Sequence, residues 1–565
     1  MKLSKRKSFP AMANLTQFFR LASDEQANRA CCFEPESRKR LVPVFVFLLA
    51  SLLSLTVHAQ VLTSQYNNAR TGSDLRETIL SPQNVNARQF GKLFTFHVDG
   101  AVYAQPLYVP GLDIPGKGRH NVVFVATEHD SIYAFDADGH QAESLWKVSL
   151  LNPRVDARPV PAPDVECGFI DPEVGITSTP VIDYSSGTLY VLARTLEGSG
   201  PTRRFVQRLH ALAVTTGVEK FGGPVEIQAT SRGRGAGSSS GQVRFDPLSE
   251  NPRAALLLAA GTVYLTWASS CDVGSYHGWM MAYDSHSLKQ LAAFDATPDA
   301  SDGGFWAGDT GPAADSEGNV YAATGNGRFD AARGGHNYGD TILKVALSGD
   351  SLQVRDSFTP YNQAELDAED LDLGSGGPVL FPGPSGAHPH LVAIAGKGST
   401  LYIIDRDKMG GFHAGNDSQA VWTATLGGNL LGAPAYWNGH LFVAAEDDFL
   451  KEFLVTREGL KLVAQSEEKF DDRAGIPTVS SDGPRNGILW LLTSKHWNEP
   501  DRRPAVLYAY DALNVGHELY NSEQDSARDR AGIGLRFNMP MVANGRVYIG
   551  AKGEVDVYGL ISPPK

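Results

Sequence analysis

Short apolar stretches, each broken by Gly, Asp or Asn, succeed one another along almost the whole chain. A run of the form Gly/His-x-(Leu/Val/Ile)-(Tyr/Phe/Trp), followed by small apolar residues, recurs eight times. The copies are NVVFVATE (121–128), GTLYVLAR (187–194), GTVYLTWA (261–268), GNVYAATG (318–325), PHLVAIAG (389–396), GHLFVAAE (439–446), GILWLLTS (487–494) and GRVYIGAK (545–552). A proline stands a strand's length before each one: Pro106, Pro180, Pro252, Pro312, Pro378, Pro434, Pro477 and Pro540. Proline cannot donate to a central ladder, so it belongs at the start of a strand or on an edge. Most copies lead into a third strand ending in an acidic turn, as in IYAFDADG (132–139) and LYIIDRDKMG (401–410). Some units close with a fourth strand, such as SLWKVSL (144–150).

Turn residues every 8–12 positions between alternating apolar runs predict short antiparallel strands. Eight four-stranded units predict an all-β protein, a single eight-bladed β-propeller spanning residues 60–565. The last unit runs out after DVYGL (556–560), one strand short. FGKLFTFHV (90–98) precedes the first unit and is free to supply it, which would close the ring and remove both open edges. Only 363–371 (QAELDAEDL) reads as one or two helical turns.

Residues 1–59 fall outside this pattern. The apolar run 41–57 follows Arg38-Lys39-Arg40 and ends in Val57-His58-Ala59, which predicts an export signal cleaved after Ala59; a retained membrane span is the alternative. The polar segment before the run is long, and Met12 competes with Met1 as the start. After cleavage no membrane span is expected, and a periplasmic or secreted location is expected. The full chain carries Lys+Arg 50 against Asp+Glu 63, and cleavage removes nine and four of these, leaving −18. That charge argues against nucleic acid or an anionic membrane as partner. Cleavage also removes Cys31 and Cys32. Cys167 and Cys271 remain, an even pair in an oxidising compartment, where a disulfide is expected and two buried thiols are the alternative.

The repeat resembles that of the pyrroloquinoline quinone (PQQ) propellers. Tyr66-Asn67-Asn68-Ala69-Arg70, Leu80-Ser81-Pro82-Gln83-Asn84-Val85 and Phe90-Gly91-Lys92-Leu93 are similar to the opening of quinoprotein alcohol dehydrogenases. The resemblance implies PQQ and calcium as cofactors and a set of site residues in the family's order. Ser269-Ser270-Cys271-Asp272 resembles the segment with a calcium carboxylate, which makes Asp272 a metal ligand. Phe305-Trp306 resembles the segment carrying the tryptophan on which the quinone stacks. Thr324-Gly325-Asn326-Gly327 is similar to the segment whose asparagine amide binds calcium. Gly339-Asp340-Thr341 is similar to the segment with the catalytic base, and Lys397 matches the lysine contacting the quinone. These types suit the chemistry: calcium takes hard oxygen ligands, a carboxylate can accept an alcohol proton, and the cofactor carries the redox step. Ile342 stands where lanthanide-using members add a second aspartate, so calcium is the expected ion.

Two departures keep a second reading open. The family's adjacent-cysteine ring has no counterpart, because Cys31-Cys32 precedes the signal, and no Cys-x-x-Cys-His exists to attach a haem. The same propeller serves non-catalytic proteins of the cell envelope, and Gly-Asn-Gly and Gly-Asp are also ordinary hairpin chemistry. The expected partner is therefore a small-molecule alcohol or sugar, or an envelope protein. Specificity is expected in loops 153–175 and 228–250. Asp136-Ala137-Asp138-Gly139 is similar to half of a calcium loop but sits at the repeat turn; His388 and His390 share a strand face, as a metal pair or a solvated one.

Overall fold

The computed structural model describes residues 59–384, 386–470, 475–495 and 502–561; the predicted signal therefore lies outside the described residues apart from Ala59. Strands dominate, and only two short α-helices occur among these residues, Gln363–Ala368 and Ser526–Asp529. The strands form eight blades arranged as an eight-bladed propeller. Blade 1 runs Leu107–Ile114, Gly118–Ala126, Ser131–Asp136 and Trp146–Ser149, each antiparallel to the one before. Blades 2 to 7 repeat this plan from inner strands Val181–Asp183, Leu257–Ala259, Ala313–Ala314, Val379–Pro382, Ala435–Trp437 and Thr478–Asp482. The eight repeated runs are the second strands. Seven of the eight prolines stand immediately before an inner strand, where the missing N–H costs the ladder nothing.

Blade 8 is assembled from both ends of the chain. Arg546–Leu560 reverses at Gly553 (φ +79°), so its first part pairs with Met541–Ala543 and its second with Phe90–Ala101, antiparallel from Phe90↔Leu560 to Ala101↔Lys552. Phe90 is fully buried at this seam, with ring centroids 5.4 Å from Trp490 and 5.0 Å from Tyr520. Apolar clusters fill the space between neighbouring blades, as where Trp267, Trp279 and Tyr283 meet Tyr190 and Leu192.

A polar segment, residues 61–77, lies inside the ring and meets the inner strand of every blade. Val61 exchanges two backbone bonds with Tyr108 of blade 1 (2.8 and 2.9 Å), and Leu62 O accepts from Ile182 N of blade 2 (2.8 Å). Asn68 Nδ2 donates to Leu258 O of blade 3 (2.7 Å). The carbonyls of Asn68, Ala69, Thr71 and Gly72 accept from Ala314, Leu380, Tyr436 and Val479, in blades 4 to 7, at 2.7–2.8 Å. Tyr66 Oη and Glu77 Oε2 accept from Val542 N and Gly545 N of blade 8, each at 2.8 Å. Arg70, wholly buried, fixes the segment by donating to Pro312 O (2.9 Å), Ser64 O (2.7 Å), Thr63 Oγ1 (2.7 Å) and Leu256 O (3.0 Å).

Arg70→Met leaves three buried carbonyls unpaired and should lower the unfolding free energy by at least about 3 kcal/mol. Phe90→Ala should cost about 3–5 kcal/mol by opening the blade 8 seam. Chemical denaturation of the folded protein reads both; unchanged midpoints would contradict the central segment and the seam as the elements that hold the ring.

Candidate functional site

In an antiparallel blade, connections between second and third strands emerge on the same face as those leading to the next blade. Nine of these connections converge on one cavity of about 550 Å³ near the ring centre. Blade 3 contributes Cys271 and Asp272, and its link to blade 4 contributes Trp306. The blade 4–5 link brings Glu369, Asp370, Leu371 and Asp372, and blade 5 brings Lys397. Glu446, Arg536 with Phe537, and Phe169 complete much of the wall, with Arg253 behind them.

The backbone here is held in unusual conformations. Cys271 and Asp272 both have positive φ (+57° and +54°), as do Ala307, Gly308 and Asp309 just after Trp306. Strain of this kind concentrates at functional sites, where the surroundings enforce it. Gly308 is obligatory: a Cβ there would stand 1.9 Å from Leu431 O.

Lys397 is the electrostatic centre. Its Nζ lies 2.7 Å from Asp372 Oδ2 and 2.9 Å from Asp370 Oδ1. Burial pulls the ammonium down, but the two carboxylates more than offset it and hold it above its ordinary value. Asp372, almost fully buried, is raised by burial against the pull of Lys397, and its Oδ1 accepts from Asn326 N at 2.8 Å. Asn326 Nδ2 donates to Asp370 Oδ1 (2.7 Å), while Asn326 Oδ1 is buried without a hydrogen-bond donor. Asp272 is likewise raised by burial; Tyr276 Oη donates to its Oδ1 at 2.7 Å. Trp306 lies edge-on to Tyr276 (6.1 Å, 72°), and its Nε1 also has no hydrogen-bond partner.

Four of the residues singled out in the sequence thus meet: Asp272, Trp306 and Lys397 line the cavity, and Asn326 bonds to the two aspartates on its wall. Asp340 does not line it. It is fully buried behind the wall, accepting from Leu373 N (3.0 Å) and Gln363 Nε2 (3.3 Å), and burial together with the nearby Asp372 pushes its carboxyl up to about 8. Its visible role is to fix the backbone just past Asp372. Sequence reasoning passed over Asp370 and Asp372, having read 363–371, which includes Asp370, as one or two helical turns. The helix stops at Ala368, and the signal available was the Asp-x-Asp spacing directly before an inner strand.

Cys167 and Cys271 form a disulfide (Cα–Cα 5.7 Å) that ties the blade 1–2 link to the segment carrying Asp272. The cavity thus has a disulfide in its wall, built from residues 104 apart rather than adjacent ones. Of the two loops expected to confer specificity, 153–175 supplies Phe169; 228–250 supplies none of the lining residues, forming instead a hairpin of Thr230–Arg232 and Gln242–Arg244.

The donor set fits calcium and PQQ. An unpaired buried amide oxygen on Asn326, which bonds to Asp370 and Asp372, together with Asp272 on the same cavity wall, suits a hard cation, and the indole of Trp306 with the space before it suits a flat aromatic ligand. No family model matches the chain, and no curated protein matches its sequence. Among solved structures it is similar to a quinohemoprotein alcohol dehydrogenase of Pseudomonas putida HK5, at 15% identity and TM-score 0.57 over 90% of this chain and 81% of that one. A europium-containing methanol dehydrogenase matches at 12% identity and TM-score 0.56, over 89% of this chain and 98% of that one. BamB of Moraxella catarrhalis matches at 12% identity and TM-score 0.46, over 83% and 99%. The first two likenesses are of fold: the chain shares its propeller with that quinohemoprotein alcohol dehydrogenase and that methanol dehydrogenase.

A Cβ on Gly325 would lie 2.0 Å from Asp372 Oδ1 and 2.8 Å from Trp306 Nε1. Gly325→Ala should cost about 1–3 kcal/mol by overpacking and shift tryptophan emission, with no emission shift when Trp306 is first replaced by Phe. The raised carboxyl of Asp340 adds a pH dependence. Its folded value, about 8, lies above the unfolded 3.8, so the stability it contributes is complete below the unfolded value and is lost as pH rises through the folded one. Asp340→Asn should flatten the fall in thermal midpoint between pH 6 and 9; an equally steep fall would contradict the assignment.

Proposed function

We propose that the chain is an extracytoplasmic oxidoreductase that uses PQQ and calcium to oxidise an alcohol or a sugar. The observation that carries this reading is the meeting of Asp272, Trp306, Asn326 and Lys397, collinear in sequence with the family's site, around one cavity with an unpaired Asn326 Oδ1. Asp272, Asn326 and Asp372 would hold the ion, Trp306 would offer its face to the quinone, and Lys397 would contact it. Bound PQQ supplies the two-electron acceptor and calcium the Lewis acid.

The chain's own groups supply binding and proton transfer. Asp340 was the base implied by sequence resemblance, but its oxygens are engaged behind the wall. Asp370 is the better-placed base: its side chain is 68% exposed, faces the cavity, and is oriented by Lys397 and Asn326. Asp340 then acts as a positioning residue through Leu373 N. The disulfide supports a location outside the reducing cytoplasm, in keeping with a cleaved leader over residues 1–59. Among the described residues no helix is long and apolar enough to cross a membrane.

Purified protein lacking residues 1–59 should bind micromolar PQQ in the presence of calcium and then reduce an artificial dye with alcohols or sugars. Asp370→Asn should lose about 10²–10⁴-fold in kcat with cofactor binding retained, while Asp340→Asn stays within about tenfold. The reverse ranking would restore Asp340 as base. Absence of PQQ binding would reject the oxidoreductase reading in favour of an envelope scaffold.

A further inference from the structure

The acidic turn between third and fourth strands recurs around the ring, and one copy is built differently. In blades 3, 5 and 7 the turn aspartate (Asp284, Asp405, Asp511) accepts a hydrogen bond from the backbone N–H two residues on, at 3.1, 2.9 and 2.9 Å. Asp136 of blade 1 does the same through Oδ1, bonding to Asp138 N at 3.0 Å. Its Oδ2, however, faces two imidazoles: His120 Nδ1 at 3.2 Å and His140 Nδ1 at 3.0 Å. Ligand atoms of Asp136, Asp138 and His140 lie within 4.8 Å of one another, and His120 adjoins this group through Asp136 Oδ2.

The His120 ring shows what this arrangement lacks. Its Nε2 stands 2.9 Å from Lys117 O, which can only accept, so Nε2 carries the proton. In the neutral ring Nδ1 is then a lone pair aimed at a carboxylate oxygen. A cation held between the two would relieve that conflict. Metal-binding histidines commonly have their second nitrogen donating to a backbone carbonyl in this way. Two imidazole nitrogens and two carboxylates are a zinc-type donor set, and N···O edges of 3.0–3.2 Å approach the roughly 3.3 Å edge of a tetrahedron with ~2.0–2.1 Å bonds. Blade 5 provides the contrast within the same chain: His388 and His390 face separate carboxylates, Asp405 at 2.7 Å and Asp407 at 2.9 Å.

We propose that His120, Asp136, Asp138 and His140 form a binding site for zinc or a similar divalent transition metal, on the face opposite the central cavity. The site adjoins the seam that closes the ring. Tyr548 Oη of blade 8 donates to Ala137 O (3.2 Å), and Arg546 donates to Asp138 O (3.2 Å). Gly139 packs on Phe94 of the closing strand so tightly that a Cβ would stand 2.4 Å from that ring. A bound ion therefore fixes the blade 1 turn against both partners of blade 8. Arg546, 3.6 Å from Asp138 Oδ1, offsets one carboxylate and sets the affinity below that of a wholly anionic site.

The test is a zinc titration of chelator-treated mature protein at pH 7.5 in excess calcium, by competition with a chromophoric chelator, with cobalt absorbance to report geometry. One equivalent should bind, raise the thermal midpoint, and give the intense visible bands of tetrahedral cobalt. His140→Ala alters a side chain that is 76% exposed and should fold normally yet bind at least tenfold more weakly; His120→Ala should do the same. His388→Ala, and Asp272→Asn in the central cavity, should titrate like the parent. No saturable zinc binding, or binding that survives both His120→Ala and His140→Ala, would overturn the proposal.

Discussion

The structure depends on how the inner strands satisfy their open edges. Each blade presents its first strand towards the axis, and eight such edges would leave a ring of unpaired N–H groups facing a narrow channel. Residues 61–77 answer all eight, largely with their own backbone carbonyls. The segment is polar because its work is hydrogen bonding, and its one large buried cation, Arg70, is spent on carbonyls rather than a carboxylate. Inner strands of two to eight residues suffice because this segment, not their own length, completes their pairing.

Once the ring is held from within and closed at blade 8, the links on one face are free to carry chemistry. None of the lining groups of the central cavity lies in the regular part of a strand. They sit on connections whose ends are fixed by neighbouring blades, with left-handed residues aiming Asp272 and the segment after Trp306. The Cys167–Cys271 disulfide adds a covalent cross-link between two such connections. Lys397, Asp370 and Asp372 form a charge cluster in which the buried Asp372 is sustained by pairing with Lys397 and by the Asn326 backbone N–H, while Asp370 stays exposed to the cavity.

The blade count, the second strands, the prolines before the inner strands and the closing role of 90–98 were all legible in the sequence. Each rests on period-two alternation, on the missing proline N–H, or on the need to remove an edge, and these rules act locally. The central segment was not legible as such: Tyr66–Arg70 stood out only as a resemblance, because hydrogen bonds to partners up to 476 residues away leave no periodic trace. The site was half legible. Asp272, Trp306, Asn326 and Lys397, singled out by type and order, come together around one cavity, whereas Asp340 lies behind its wall and Asp370, passed over in the sequence, lines it, because only the direction of the chain past Ala368 tells which turn aspartate faces the cavity.

The central segment also sets an order of events. It is among the first parts of the folded region to be synthesised, yet its partners end at Gly545. Until the final blade exists, the early segment has no complete set of acceptors and donors to join, and the outer strand of that blade, Phe90–Ala101, has nothing to pair with. A partly made chain therefore lacks the partners that would let it settle into a closed ring.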